Sequence, residues 1–263
     1  MANTIYFYDI STLLFSIAYG LLIVFVGIQI KKKEKIARPF IISLVSYFLF
    51  DLIGNTLLFI YNRGTEFNTI TNLTQEQFNV LSNISNLGYI IILFGPVYLI
   101  FNLEKSAFNK EIVKEKHLLT ILQGILIGIL LIISIMANYV LVDLSNEERM
   151  ALTGTYIFSV YGIIILLQAI FFAGGFLYLS RKTEGALRIN TFLVAIGYIW
   201  EFIVNLFLAV VFIMAVDQNS VLPYTSPDFP FVIGMTYIFR LIGLLIMSYG
   251  LLKLYYKKIA TKD

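Results

Sequence analysis

The 263-residue chain has no cysteine, one histidine, one tryptophan and five prolines, and only 13% of its residues are charged. Without cysteine there is no disulfide, thiolate nucleophile or sulfur metal ligand, and a single histidine cannot build a histidine-rich metal centre. The shortage of charge excludes more. Soluble domains are about 25% charged and roughly half apolar. Here 59% of residues are hydrophobic, 16% are aromatic and the mean hydropathy is +0.85, so much of the surface must dissolve in lipid. A hydrocarbon core about 30 Å thick takes roughly 20 apolar residues per crossing, which leaves space for at most about eight or nine spans and no soluble domain.

Seven apolar runs are long enough to cross, at residues 10–30, 39–61, 83–103, 118–140, 155–180, 188–216 and 229–256. They predict an all-α bundle of seven transmembrane helices forming a single transmembrane domain over 1–263, a multi-pass protein of the cell membrane. Lys31, Lys32, Lys33 and Lys35 follow the first run and nothing basic precedes it, the pattern of a retained helix and not of a cleaved leader. Basic residues then set the direction. Sixteen of the nineteen lie after runs 1, 3, 5 and 7, whereas Arg63 and Arg149 lie on the other side and Arg240 sits within run 7. Because cytoplasmic loops retain lysine and arginine, the N-terminus is expected outside and the C-terminus inside.

That distribution accounts for the basic pI as orienting charge, and no nucleic-acid partner is expected. Tyr6, Tyr8, Tyr61, Tyr139, Tyr156, Tyr178, Tyr255 and Tyr256 stand at run ends, where interfacial belts form. His117, before run 4, reads as an interfacial residue. Thr74 and Gln77 have capping-box spacing, which predicts that the third helix begins near residue 75. Three prolines between 222 and 230 predict a stiff outer loop.

An internal repeat emerges when the chain is shifted by 150 residues. Lys31-Lys32-x-Glu34-x-x-x-Arg38 falls on Arg181-Lys182-x-Glu184-x-x-x-Arg188, and Asp51 and Asn55 fall on Glu201 and Asn205. At an offset of 148, Tyr89, Leu93 and Gly95 fall on Tyr237, Leu241 and Gly243. Both units start on the same side, so the repeat is parallel: residues 10–103, a connector helix at 118–140, and residues 155–256.

In this three-plus-one-plus-three plan the chain resembles the SWEET and PQ-loop transporters and the microbial rhodopsins. The resemblance spans the chain as topology. No Pro-Gln pair occurs in helices 1 or 5, so the PQ-loop signature is missing. Retinal proteins carry a lysine midway along helix 7, and the residue at comparable depth here is Arg240, which cannot form the Schiff base; covalent retinal is therefore disfavoured. Trp200 on helix 6 and Tyr89, Leu93, Phe94 and Pro96 on helix 3 look similar to aromatic pocket residues of that family.

Three ionisable residues fall where a lipid-spanning helix should have none: Asp51, Glu201 and Arg240. Counted from residues 39, 188 and 253, all lie roughly 18–20 Å deep, and Gln168 shares the layer. A charge there costs at least about 2.5–3.5 kcal/mol unless it faces the bundle and finds a partner. Helical spacing groups Tyr47, Asp51 and Asn55 on one helix and Tyr198, Glu201 and Asn205 on another. Two carboxylates and one guanidinium leave one negative charge over. Either the surplus acid takes up a proton, or a metal ion or cationic ligand balances it. Since helices 6 and 7 are neighbours in sequence, Glu201 is expected to pair with Arg240, leaving Asp51 as the exchangeable group. Buried ion pairs and asparagines also fix packing without further function. Gly95-Pro96 and Gly174-Gly175 read either as close helix contacts or as hinges.

An enzyme is not expected, because the histidine or acid clusters of intramembrane hydrolases are missing. The favoured reading is a small transporter or proton/ion pathway through the Asp51, Glu201 and Arg240 site, with Asn55, Asn205 and Gln168 around it. The alternative is a receptor-like sensor in which Trp200, Tyr198 and Tyr47 line a pocket for a small non-covalent ligand, with a cytoplasmic signalling partner or a homo-oligomer.

Overall fold

The computed structural model describes residues 2–32, 38–65, 73–106, 117–139, 146–217 and 229–256, and every regular element among them is an α-helix. They are α1 (Ala2–Lys32), α2 (Arg38–Gly64), α3 (Gln75–Ser106), α4 (Leu118–Tyr139), α5 (Asn146–Lys182), α6 (Gly185–Asp217) and α7 (Phe229–Tyr256). Each contains a stretch of 19 to 28 residues long and apolar enough to cross a membrane. The chain is thus an all-helical, multi-pass membrane protein.

The helices overrun the apolar windows, most clearly at the starts of α1, α3 and α5, whose polar first turns contain no proline or glycine to stop them. The start of α3 follows the capping box: the Gln77 amide N–H donates to Thr74 Oγ1 at 3.3 Å, and the Thr74 N–H donates back to Gln77 Oε1 at 3.0 Å. Between α5 and α6 only Thr183 and Glu184 intervene, and Gly185 turns the chain with a φ of 58°. Most of the lysine-rich connections, including Lys33, Lys35, Lys110, Lys114, Lys116 and Lys257, together with Asn72 and the loop at 222–228, lie outside the described residues.

Consecutive helices pack side by side, α7 returns to α1, and α3 touches α5 directly. Six helices therefore close a ring, and α4 stands outside it against α3 and α5. The polarity is that of a bundle in lipid: Leu21, Ile125, Ile189 and Leu245 face outward, while Asp51, Asn55, Gln168, Glu201 and Thr236 are buried. Aromatic rings fill the interior, among them Tyr8, Phe15, Tyr19, Phe48 and Phe172. Two tyrosines expected in interfacial belts belong to this interior. Tyr8 is fully buried and its hydroxyl accepts from Asn62 Nδ2 at 3.0 Å, and Tyr61 is also buried. Tyr6 and Tyr178 are exposed, as a belt requires. The side chains of Tyr139, Tyr156, Tyr255 and Tyr256 lie outside the description.

Glu104, which the sequence reading passed over, is fully buried at the end of α3. It accepts the Leu119 N–H at 2.6 Å and the Thr120 hydroxyl at 2.5 Å, so an acid from one helix caps the N-terminus of the next. His117, at the adjoining turn with a φ of 46°, stacks on Phe101 and brings Nδ1 to 3.7 Å from the same carboxylate.

Close approach of backbones is concentrated in two pairs, α2 with α3 and α6 with α7. A Cβ on Gly197 would lie 2.6 Å from the Met247 nitrogen and 2.7 Å from the Gly243 oxygen, and one on Gly95 would lie 3.1 Å from the Tyr47 oxygen. Gly174 and Gly175, by contrast, have open space around them, so tight helix contact explains Gly95 and does not explain that pair. Gly197→Ala is expected to destabilise the bundle by about 1–3 kcal/mol through overpacking. Gly128→Ala, where nothing lies within 4 Å, should be neutral or mildly stabilising. Thermal unfolding of the two variants in the same detergent checks the contrast.

Candidate functional site

The sequence pattern that matters on α2 and α6 is an acid followed four residues later by asparagine. On both helices the asparagine folds back on its own turn: Asn55 Nδ2 donates to the Asp51 carbonyl at 2.7 Å, and Asn205 Nδ2 donates to the Glu201 carbonyl at 2.9 Å. Each amide nitrogen is thereby held on backbone and each amide oxygen is turned away from it.

Arg240 reaches from α7 between the two. Its Nε donates to Glu201 Oε2 at 3.1 Å, Nη1 to Asn55 Oδ1 at 3.1 Å, and Nη2 to both Asp51 oxygens, at 3.3 and 3.1 Å. Its Cζ lies 4.8 Å from the centroid of the Phe15 ring, so the face of the guanidinium is covered from α1. Asp51, Asn55, Glu201 and Arg240 are at most 9% exposed. The expected three-charge layer therefore exists as one contiguous cluster joining α2, α6 and α7.

The assignment of partners within it needs correction. Glu201 does pair with Arg240, but through one oxygen only, and Oε1 is buried with no hydrogen-bond partner among the described residues. Asp51 is held through both oxygens. The loosely held acid is thus Glu201, not Asp51. The physical reason is reach: Arg240 spans the bundle axis to α2 instead of stopping at its sequence neighbour α6.

Gln168 also belongs to the layer. It is 3% exposed, and its Nε2 donates to the Leu93 carbonyl at 3.3 Å, beside the break in the α3 hydrogen-bond ladder that Pro96 creates. Tyr47 and Tyr198 pack nearby with ring centroids 6.5 Å apart, and Tyr198 stacks on Phe172 at 4.5 Å.

Trp200 does not join them. It is 37% exposed, and its indole N–H donates to the Phe239 carbonyl at 2.8 Å across the outer side of α7. One residue is about 100° of helix, so a neighbour of the inward Glu201 must face the flank. Trp200 instead borders an outward apolar groove of about 420 Å³ between α6 and α7 with Ile203, Phe207, Phe231 and Phe239.

Two internal cavities meet at Arg240. One, of about 60 Å³, extends past Asn55, Thr236 and Tyr237 to Asn62 and Phe229, at the end of the bundle where α2 finishes and α7 begins. The second, of about 30 Å³, lies on the other side among Tyr47, Pro96, Gln168, Tyr198 and Glu201. Ile92, Tyr161, Asn205 and Arg240 line both. A water needs roughly 10–15 Å³ by this measure, so the cavities are of water scale and far below the roughly 300–1,000 Å³ of organic-ligand pockets. Beyond the first cavity, Arg63 and Asp9 form a partly exposed ion pair at 3.6 Å.

Residues that sequence reasoning missed are Phe15, Tyr19 and Tyr161. Tyr19 is fully buried and its hydroxyl lacks a partner among the described residues. Tyr8, Phe15 and Tyr19 recur at helical spacing along α1, a signal that was present but reads as ordinary core.

No protein-family model matches the chain, and no curated protein or solved structure matches it either. The site's chemistry therefore rests on its own residues. Arg240→Met, which leaves two buried acids without their cation, is expected to cost about 3–5 kcal/mol. Adding Asp51→Asn and Glu201→Gln to that variant should recover most of the loss. Thermal unfolding of the single and triple variants measures both; purely additive losses would show that the three side chains do not act as a unit.

Proposed function

We propose that the protein is a small integral membrane transporter or proton/ion pathway that handles a cation at the Asp51, Glu201 and Arg240 cluster. The observation that carries this reading is the unpartnered Glu201 Oε1 in a buried cluster with one acid more than it has cations. Glu201 is the exchangeable group, Asp51 fixes Arg240, and the cavities on either side of Arg240 are the two half-paths. Their small volume favours a proton or an ion over an organic substrate and lends less support to a ligand sensor. Trp200 faces outward and so does not line a pocket at the charged layer with Tyr47 and Tyr198. No enzymatic step is part of the proposal.

In this reading the N-terminus is outside and the C-terminus inside the cell membrane, which the placement of sixteen basic residues in the sequence supports. The parallel repeat is supported by packing. Under the two offsets α1–α2 corresponds to α5–α6, α2–α3 to α6–α7, and α7–α1 to α3–α5, and all six pairs are in contact. Gly95 against the Tyr47 carbonyl likewise corresponds to Gly243 against the Gly197 carbonyl. Two such halves can rock about Arg240 and open one cavity at a time.

Reconstitution into liposomes containing a pH-sensitive dye tests the function. An imposed gradient should collapse faster with the wild-type protein than in protein-free vesicles. Glu201→Gln should return the rate to the protein-free level, and Asp51→Asn should slow it by releasing Arg240 to clamp Glu201 through both oxygens. Flux that neither substitution changes would sink the proposal.

A further inference from the structure

We infer that the smaller cavity, among Gln168, Glu201 and Asn205, is a binding site for one sodium-sized monovalent cation. The inference deepens the proposed function and rests on its reading of Glu201 as the uncompensated acid. What distinguishes this cavity is the polarity of its lining. Gln168 spends Nε2 on the Leu93 carbonyl and Asn205 spends Nδ2 on the Glu201 carbonyl, so both amides present oxygen away from the backbone they are tied to. Glu201 commits Oε2 to Arg240 and leaves Oε1 buried without a partner. All three residues line the same space, together with the hydroxyl-bearing Tyr47, Tyr161 and Tyr198. Asp51 and Arg240 line it as well; with the guanidinium engaged by both acids, the oxygens left over are acceptors with one excess negative charge, and the ligand that suits them is a cation.

Size and charge narrow the class. A cavity of about 30 Å³ admits two or three waters, or one ion with at most a water or two and no full hydration shell. Magnesium keeps several waters, for which a cavity of this size has no room. A single positive charge also neutralises the cluster, whereas a divalent ion would overshoot by one. Arg240 does not oppose binding outright, because its charge is already met by both Asp51 oxygens at Nη2, by Asn55 at Nη1 and by Glu201 Oε2 at Nε. Carboxylate and amide oxygens are hard ligands suited to such an ion.

The test follows thermal unfolding of the purified full-length protein at one pH while sodium chloride replaces choline chloride at constant ionic strength. A saturable, sodium-specific rise in Tm is expected, smaller with potassium. Glu201→Gln should abolish the rise, and Gln168→Leu should raise the half-saturating sodium concentration about tenfold, the loss of one ion–dipole contact. Equal responses to sodium and choline, or an undiminished response in Glu201→Gln, would overturn the site and leave the cavity to water. If Glu201→Gln does not fold, the Gln168→Leu titration decides by the same criterion. Sodium-specific stabilisation without ion movement in liposomes would reject the transport reading and keep the cation site. Glu201-dependent proton flux without sodium-specific stabilisation would do the reverse.

Discussion

The structure is organised around the burial of Arg240 between two acids. Three charged groups removed from water each carry a desolvation penalty of several kcal/mol, and their mutual attraction offsets it only when the geometry is close to ideal. Here the three donor nitrogens Nε, Nη1 and Nη2 each meet an oxygen, while Phe15 covers the face of the guanidinium. That requirement fixes the rotation of α2, α6 and α7 about their own axes and brings α1 against them. The close crossing of α6 with α7 accords with it, since Arg240 and Glu201 meet at 3.1 Å across that contact, and α2 packs closely on α3 in the same way. Gly197 and Gly243 permit that approach on one side and Gly54, Gly88 and Gly95 on the other.

The level that the polar residues share along the bundle was legible from the chain, and azimuth only in part. Counting residues from the basic ends put Asp51, Glu201, Arg240 and Gln168 in one layer because rise per residue is fixed in any helix. Spacing also found the faces shared by Tyr47 with Asp51 and by Tyr198 with Glu201. Trp200 has the aromatic character of a pocket residue, but one position from Glu201 is about 100° round α6, which turns it to the flank. Tyr8 and Tyr61 failed for a related reason: a tyrosine near a helix end satisfies its hydroxyl equally well in water or on an interior amide such as that of Asn62. Glu104 was hidden because its partners, the Leu119 N–H and the Thr120 hydroxyl, lie across a connection whose folding no local pattern reveals.

Which acid Arg240 would favour could not be read from proximity in sequence, because a long guanidinium side chain reaches across a bundle as readily as to the adjacent helix. Its lean toward α2 has a consequence for the pair of acid-plus-four-asparagine motifs. Both asparagines make the same bond to the carbonyl of their acid. Asn55 then gives its oxygen to Arg240, and Asp51 gives both of its own, so the α2 motif is saturated. The α6 motif meets the cation through one oxygen alone, which leaves Glu201 Oε1 unpaired beside the smaller cavity that Asn205 and Gln168 also line. One cation placed off the axis between two similar helices therefore produces two unlike environments: a closed structural anchor on α2 and an acceptor-rich site on α6. Of the two, only the second leaves a carboxylate oxygen without a hydrogen-bond partner among the described residues.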